Sequence, residues 1–223
     1  MKKLLLVVVL ALAGWWLLHS PHGGPLAIQA PRPADGVLVS EEPVYGGLDF
    51  QKTWMPLGAF QEMPQGTIDV TARILARLDY PRTGVGEVLP TDLVLGWGPM
   101  SDNRVIDHVK INLANRGLTV IPDATAGITA RAARASTMVV AVYSDFHEHA
   151  VALDALRVGD VIHLYGWEQK LKLPDGSTWT GGSGQEEIGE RAFIAKVLML
   201  QVGDRKVFGN WDAYGALRSR MTP

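Results

Sequence analysis

The densest chemistry in the chain lies in Asp145-Phe146-His147-Glu148-His149, which places four potential metal ligands within five positions. In an extended stretch, side chains two apart project to the same side, so His147 and His149 would present two imidazoles together, as a zinc-type site requires. A third ligand is available from Asp145, His163 or His108, and Glu148 would then be free to act as base on a metal-bound water. Those residues describe a metal-dependent hydrolase. Against it, H-x-H alone carries little information, the spacing is not that of a helical H-E-x-x-H, and a charged loop following a strand is ordinarily just solvated. Glu186, Glu187 and Glu190 offer paired carboxylates of the kind used in sugar hydrolysis, or a solubilising hairpin tip. Ser183 is followed by Gly184 and Gln185, so no G-x-S-x-G elbow forms, and neither S-x-x-K nor G-x-x-x-x-G-K occurs.

Gly96-Trp97-Gly98-Pro99-Met100-Ser101-Asp102 is the most peculiar local string. Glycines on both sides of a tryptophan let the backbone pass close to something flat. One reading is an indole platform for a sugar ring or a partner side chain, with Asp92 and Asp102 as polar neighbours. The other is a tight turn whose Trp97 plugs the end of a barrel, with Ser101 capping the next helix. Trp167 and Trp179 lie on neighbouring strands of a hairpin expected over 161–180, either packed across it or, for Trp179, facing a ligand.

The elements that must position these residues belong to a chain of 223 residues, 47% hydrophobic and 20% charged, long enough for one sizeable core or two small ones. With no cysteine, disulfides, thiolate zinc sites, iron–sulfur clusters and a cysteine nucleophile are all excluded. Twenty-one basic residues face 23 acidic ones. Nothing in that balance suggests a nucleic-acid-binding surface.

Lys2 and Lys3 precede an uncharged run, residues 4–18, which ends at His19-Ser20-Pro21-His22-Gly23-Gly24-Pro25. As a helix it would be roughly 22 Å long, within reach of spanning a bilayer if the lysines snorkel. Cleavage is poorly served: a cut after Ala30 puts Ile28 at −3 and Pro31 beyond the bond, a cut after Ser20 meets Pro21, and Ala11-Leu12-Ala13 lies inside the apolar run. Trp15 and Trp16 suit a membrane interface. The expectation is a retained signal anchor over 1–20, single-pass in the inner membrane, with the C-terminal part in the periplasm.

Residues 21–66, rich in proline and glycine, read as a tether that partly packs on the domain through Tyr45, Phe50, Trp54 and Phe60. From Thr67, apolar residues at every second position (Ile68, Val70, Ala72, Ile74, Ala76, Leu78) predict a strand with Thr71, Arg73 and Arg77 on its wet face. Further strand character covers Val109–Val120, Thr137–Tyr143, Val161–Leu173 and Ala192–Val202, with a turn at Pro174-Asp175-Gly176. Short helices are expected from Ser101 to His108, within Ala124–Ala135, and after Asn210, the last within a C-terminal segment 206–223. The pattern predicts a mainly β, β-rich α+β domain over 67–205, a small five- to six-stranded OB-like or half-open barrel; Gly159-Asp160 would turn into one strand and Gly166 would let it bend.

The run DLVLGWGPMSD (Asp92–Asp102), preceded by ARILARLDY and followed by a Gly-Asp strand, resembles a family of uncharacterised exported proteobacterial proteins marked by "ARVL…Y", "DLxLGWGxMSD" and "GDxVxLxG" segments. The likeness covers roughly 54–202. It implies an envelope location and a shared fold and no catalytic role. The family's "SANMHLIPA" stretch resembles Ser136–Ala141, which lacks its histidine. Together these readings lead to a membrane-anchored periplasmic binding domain without enzymatic activity or cofactor, whose partner is an envelope protein or glycan. The alternative is a zinc-type hydrolase using Asp145–His149.

Overall fold

The computed structural model describes residues 34–114, 116–180 and 192–215. The expected anchor and the cluster Glu186, Glu187 and Glu190 lie outside these. Among the described residues no helix is long and apolar enough to cross a membrane.

The fold is mainly β. In chain order it contains β1 (Val44–Gly46), β2 (Met55–Leu57), β3 (Phe60–Asp79), α1 (Val85–Val88), β4 (Thr91–Gly96), a 3₁₀ turn Gly98–Ser101, α2 (Asn103–Ile106), β5 (Val109–Ala114), β6 (Gly117–Pro122), α3 (Ala130–Ala135), β7 (Thr137–Tyr143), α4 (His147–Asp154), β8 (Val161–Lys172), β9 (Thr178–Trp179), β10 (Ala192–Val202) and β11 (Arg205–Phe208). Among the described residues nine strands form one mixed sheet, and β5 and β6 pair separately. The long β3 pairs with β8 from Gln61 to Arg73 and with β4 from Arg73 to Asp79. β4 pairs with β7, β7 runs parallel to β10, and β10 is antiparallel to β8. Followed from strand to strand, these pairings return to β3.

The apolar sides of those five strands meet in one core: Ile68, Val70, Ala72 and Ile74 of β3 pack with Leu93, Leu95, Met138, Val140, Val142, Ile162, Leu164, Ala195 and Val197. Alternation on β3 thus does what a period of two dictates, sending every second side chain inward. A bulge between Ile74 and Ala76 breaks the period, and Leu75 and Ala76 join a second cluster. That cluster covers the outer sides of β4 and β7 with the β5–β6 hairpin and α3, through Val94, Val139, Val109, Leu118, Val120 and Ala133. β4 and β7 are therefore buried on both faces.

Several expectations need correction. Residues 34–66 belong with the domain: two short strands and the first part of β3 lie there, Pro56 on a short strand paired only with β3 and Pro64 at a bulge, the places where a strand tolerates proline. Arg73 is buried, with its guanidinium bonded to Ser101 O and Asn103 Oδ1. Val109–Val120 is a hairpin, with Ala114 opposite Gly117. Asp102, not Ser101, caps α2, accepting from Arg104 N. Chain beyond Phe208 turns helical at 211–215, where Asn210 Oδ1 accepts from Ala213 N. Gly159 has φ +98, and a Cβ at Gly166 would come within 2.4 Å of Lys196 O, so both glycines are required where the sequence put them.

Candidate functional site

The Gly96–Asp102 string holds the chain's own N-terminal arm. A Cβ at Gly96 would meet Met100 O at 2.6 Å, and Gly98 sits at φ +54, so the two glycines allow the strand end to fold tightly into the 3₁₀ turn. This brings Gly98, Ser101, Asp102 and Asn103 against residues 34–39. Gly98 N donates to Val39 O (2.7 Å). Ser101 Oγ accepts from Leu38 N (3.0 Å) and Val39 N (3.1 Å) and donates to Gly98 O (2.7 Å), which uses its one proton and both lone pairs. Asp102 Oδ1 accepts from Gly36 N (3.0 Å), and Asn103 Nδ2 donates to Ala34 O (3.3 Å). Arg73 braces the clamp from below, Nη1 lying 2.7 Å from Asn103 Oδ1. Hydrogen bonds from Arg104 hold the Asp102 carboxyl well below the usual carboxylate range. The clamp grips backbone rather than side chains, and the segment it grips bends at Gly36, whose φ of +120 calls for glycine.

Trp97 is not an open platform. Its ring is 2% exposed, in the main core with Val39, Leu153 and Leu156. It is packed in the core rather than open to a ligand, in one cluster with Val39 of the arm.

Asp92, at the start of β4, belongs to a different cluster. It is 1% exposed and accepts from Arg116 Nη1 (2.6 Å) and Tyr80 OH (2.8 Å). Arg116 comes from the tip of the β5–β6 hairpin, where it adopts φ 63, and its Nη2 also reaches Leu89 O (2.9 Å). The guanidinium lies 4.0 Å from the Tyr80 ring centroid and 4.9 Å from that of Trp179. Burial pushes the Asp92 carboxyl up, with Arg116 opposing. Asp92 and Trp179 are thus joined through Arg116, whereas Trp97 and Asp102 lie past the other end of β4. Trp179 stands opposite Leu171, and Trp167 instead packs edge-on against Phe50.

The Asp145–His149 stretch is not extended. His147, Glu148 and His149 form the first turn of α4, where residues two apart point about 200° apart, so the two imidazoles diverge. The His149 ring stacks on Phe208 at 3.8 Å, with Ser144 Oγ 3.1 Å from its Nδ1. Asp145 pairs with Lys196 Nζ (2.5 Å), which also bonds Glu62 Oε1 (2.6 Å). The other two histidines are engaged elsewhere: His163 Nε2 lies 2.7 Å from Asp69 Oδ1, next to Tyr214 OH, and His108 Nδ1 lies 2.8 Å from Thr125 Oγ1. Among the described residues no three of these side-chain types stand together as a metal ion would need.

The buried Glu62–Lys196–Tyr143 network went unread in the sequence. Tyr143 OH donates to Glu62, and burial, then Glu62, pushes the phenol up. Burial would lower the Lys196 ammonium, but hydrogen bonds to Asp145 and Glu62 outweigh it and raise it, so the amine stays protonated and is no nucleophile. Its signal was present: Lys196 is the one charge within the apolar run Phe193–Leu200.

Comparison with protein-family models, curated proteins and solved structures returns no significant match.

Proposed function

We propose that the chain is a non-enzymatic, membrane-anchored interaction domain of the bacterial envelope, held to the inner membrane through residues 4–18 and working in the periplasm. The observation that carries this reading is the clamp: Gly98, Ser101, Asp102 and Asn103 fix the arm from Ala34 onward. Only residues 19–33 then separate the apolar run from a rigid body, a reach of up to about 50 Å if extended. Such a tether sets the height of a domain above a bilayer. The "DLxLGWGxMSD" resemblance to exported proteobacterial proteins points the same way.

The circuit β3-β4-β7-β10-β8, with β7 and β10 parallel, supports an OB-like barrel as its architecture. In such barrels the face carried by the second and third strands of the ring takes oligonucleotides or oligosaccharides. Here those strands are β4 and β7, and the hairpin and α3 cover them. Binding is therefore assigned to other surfaces, and nucleic acid is not the expected partner.

Two results test the reading. Protease added to spheroplasts should degrade the domain while a cytoplasmic marker survives; a protected domain would overturn the topology. Formaldehyde crosslinking in intact cells should trap a discrete envelope adduct, and its absence would remove the binding role.

A further inference from the structure

The outer face of β3 and β8 carries a row of side chains that the core does not use. Thr67, Asp69 and Thr71 stand opposite Trp167, Tyr165 and His163, while Ile68, Val70, Ile162 and Leu164 between them point into the main core. Tyr214, from the helical turn 211–215, closes the His163 end of the row: its hydroxyl donates to Asp69, and its ring centroid lies 5.2 Å from that of Tyr165. At the other end Trp167 is only half-buried, and Phe50, 44% exposed, meets it at 61° with ring centroids 5.5 Å apart. Asp49, exposed beside Phe50, belongs to the same face, since its charge acts on the Tyr165 phenol.

Hydrogen-bonding capacity at the Trp167 end is unspent. Thr67 and Tyr165 are 8 and 9% exposed, yet neither hydroxyl has a hydrogen-bond partner among the described residues, and neither oxygen is sealed from solvent. The Trp167 indole N–H and the Asp49 carboxylate are likewise unpaired there. Burial, then Asp69 and Asp49, push the Tyr165 phenol up, so it keeps the proton it can donate. Hydroxyls both donate and accept, the indole N–H only donates, and the carboxylate only accepts. An aromatic platform edged by that mixture matches a ligand with a flat C–H face and a rim of hydroxyls, which is a pyranose ring. An apolar partner would bury these groups unpaired, and a basic peptide would leave the two hydroxyls and the N–H unmatched.

We propose that Asp49, Phe50, Thr67, Tyr165 and Trp167 form a saccharide-binding site for a pyranose chain of the envelope. This rests on the interaction-domain reading above and names the class of its ligand. One sugar ring lies against Trp167 beside Phe50, neighbouring sugar hydroxyls donate to Asp49, and Thr67 and Tyr165 bond the rest of the rim.

The test uses the full chain in a polyoxyethylene detergent, which carries no sugar, titrated with chitotetraose and with cellotetraose and read by saturation-transfer NMR. At least one tetraose should bind, and its affinity should fall about tenfold in Asp49→Ala and in Trp167→Ala. Trp167→Phe should recover most of that loss. Tyr165→Phe keeps the ring and removes only the hydroxyl, so it should weaken binding about threefold with no fall in melting temperature. Glu87→Gln, an exposed acid elsewhere, should change nothing. Raising salt from 50 to 500 mM should leave the affinity within about twofold, because the ligand is uncharged. Thermal melts identify any variant that has lost its fold. Equal affinity across the folded variants, or no signal from either tetraose, overturns the proposal; so does binding of a (Lys-Lys-Leu)₃ peptide through these residues in place of the sugars. Failure here with cellular adducts intact removes this site alone, whereas saccharide binding by a domain that external protease cannot reach removes the periplasmic reading and leaves the site.

Discussion

Arg116 Nη1 lies 2.6 Å from Asp92 Oδ1, a pair in which the carboxylate is 1% exposed and the arginine arrives from a hairpin tip at positive φ. The pair pins the separate β5–β6 sheet to the main one. Removing one partner of a buried pair leaves an uncompensated charge, so Arg116→Gln should lose about 3–5 kcal/mol of stability. Adding Asp92→Asn should recover part of that loss. Urea unfolding of both variants decides it; an equal loss in single and double variants would mean that the arginine acts through packing on Tyr80 and Trp179.

Ser101→Ala deletes the acceptor of two arm amides and should cost about 1–3 kcal/mol, because Leu38 N and Val39 N are left without their partner. The effect should be local. Hydrogen exchange at Leu38 and Val39 should accelerate while β7 and β10 remain protected; uniform acceleration would show that the clamp supports the whole fold.

Asp102 gives the clamp its pH response. Its folded carboxyl lies below the ordinary value, so its contribution is present above the unfolded pKa of about 3.9 and is lost only as pH falls through the lower folded value. Exchange protection at Gly36 N should therefore stay flat from pH 7 to about 4, and a decline centred near pH 5 would contradict the assignment.

Glu168 behaves in the opposite sense. Burial raises its folded value, so whatever stability it contributes is complete below the unfolded pKa and disappears as pH rises through the folded one. At neutral pH the charge is a small liability. Glu168→Gln should raise the melting temperature by about 1–2 °C at pH 7, with the gain vanishing near pH 4. A lower melting temperature at pH 7 would show that the carboxylate is paired in solution.

His147 and His149 diverge on α4, so the chain purified without chelator or a histidine tag should carry less than about a tenth of an equivalent of zinc by elemental mass spectrometry. Near one equivalent, lost in a His147→Ala, His149→Ala variant, would restore the hydrolase reading.

The strands easiest to read were those whose pattern is local. Thr137–Tyr143 and Ala192–Val202 have their expected bounds, and alternation located the centre of β3. β4 went unread because Thr91–Gly96 is buried on both faces and shows no alternation, while Pro90 and the following glycines look like a turn. The β5–β6 turn was missed although Gly117 follows it in sequence: Arg116 takes the positive φ itself and makes a buried ion pair, which no local rule foresees. Among the candidate site residues, Asp102 was read as a polar neighbour of Trp97 and Ser101 only as a helix cap; the arm they hold was not foreseen, since it is some 60 residues away in sequence. The shared face of His147 and His149 held only for an extended chain, and the same spacing on α4 sends them apart.

The twenty residues of β3 are made early, yet their partner along Gln61–Arg73 is β8, about a hundred residues further on, and the parallel β7–β10 contact waits longer still. Until Val202 has been synthesised the sheet has an unmatched edge on each side of the gap that β10 will fill. Folding must then be late and nearly all at once, with a rate set by long-range closure rather than by local turns. A truncation anywhere before β10 should leave no folded remnant.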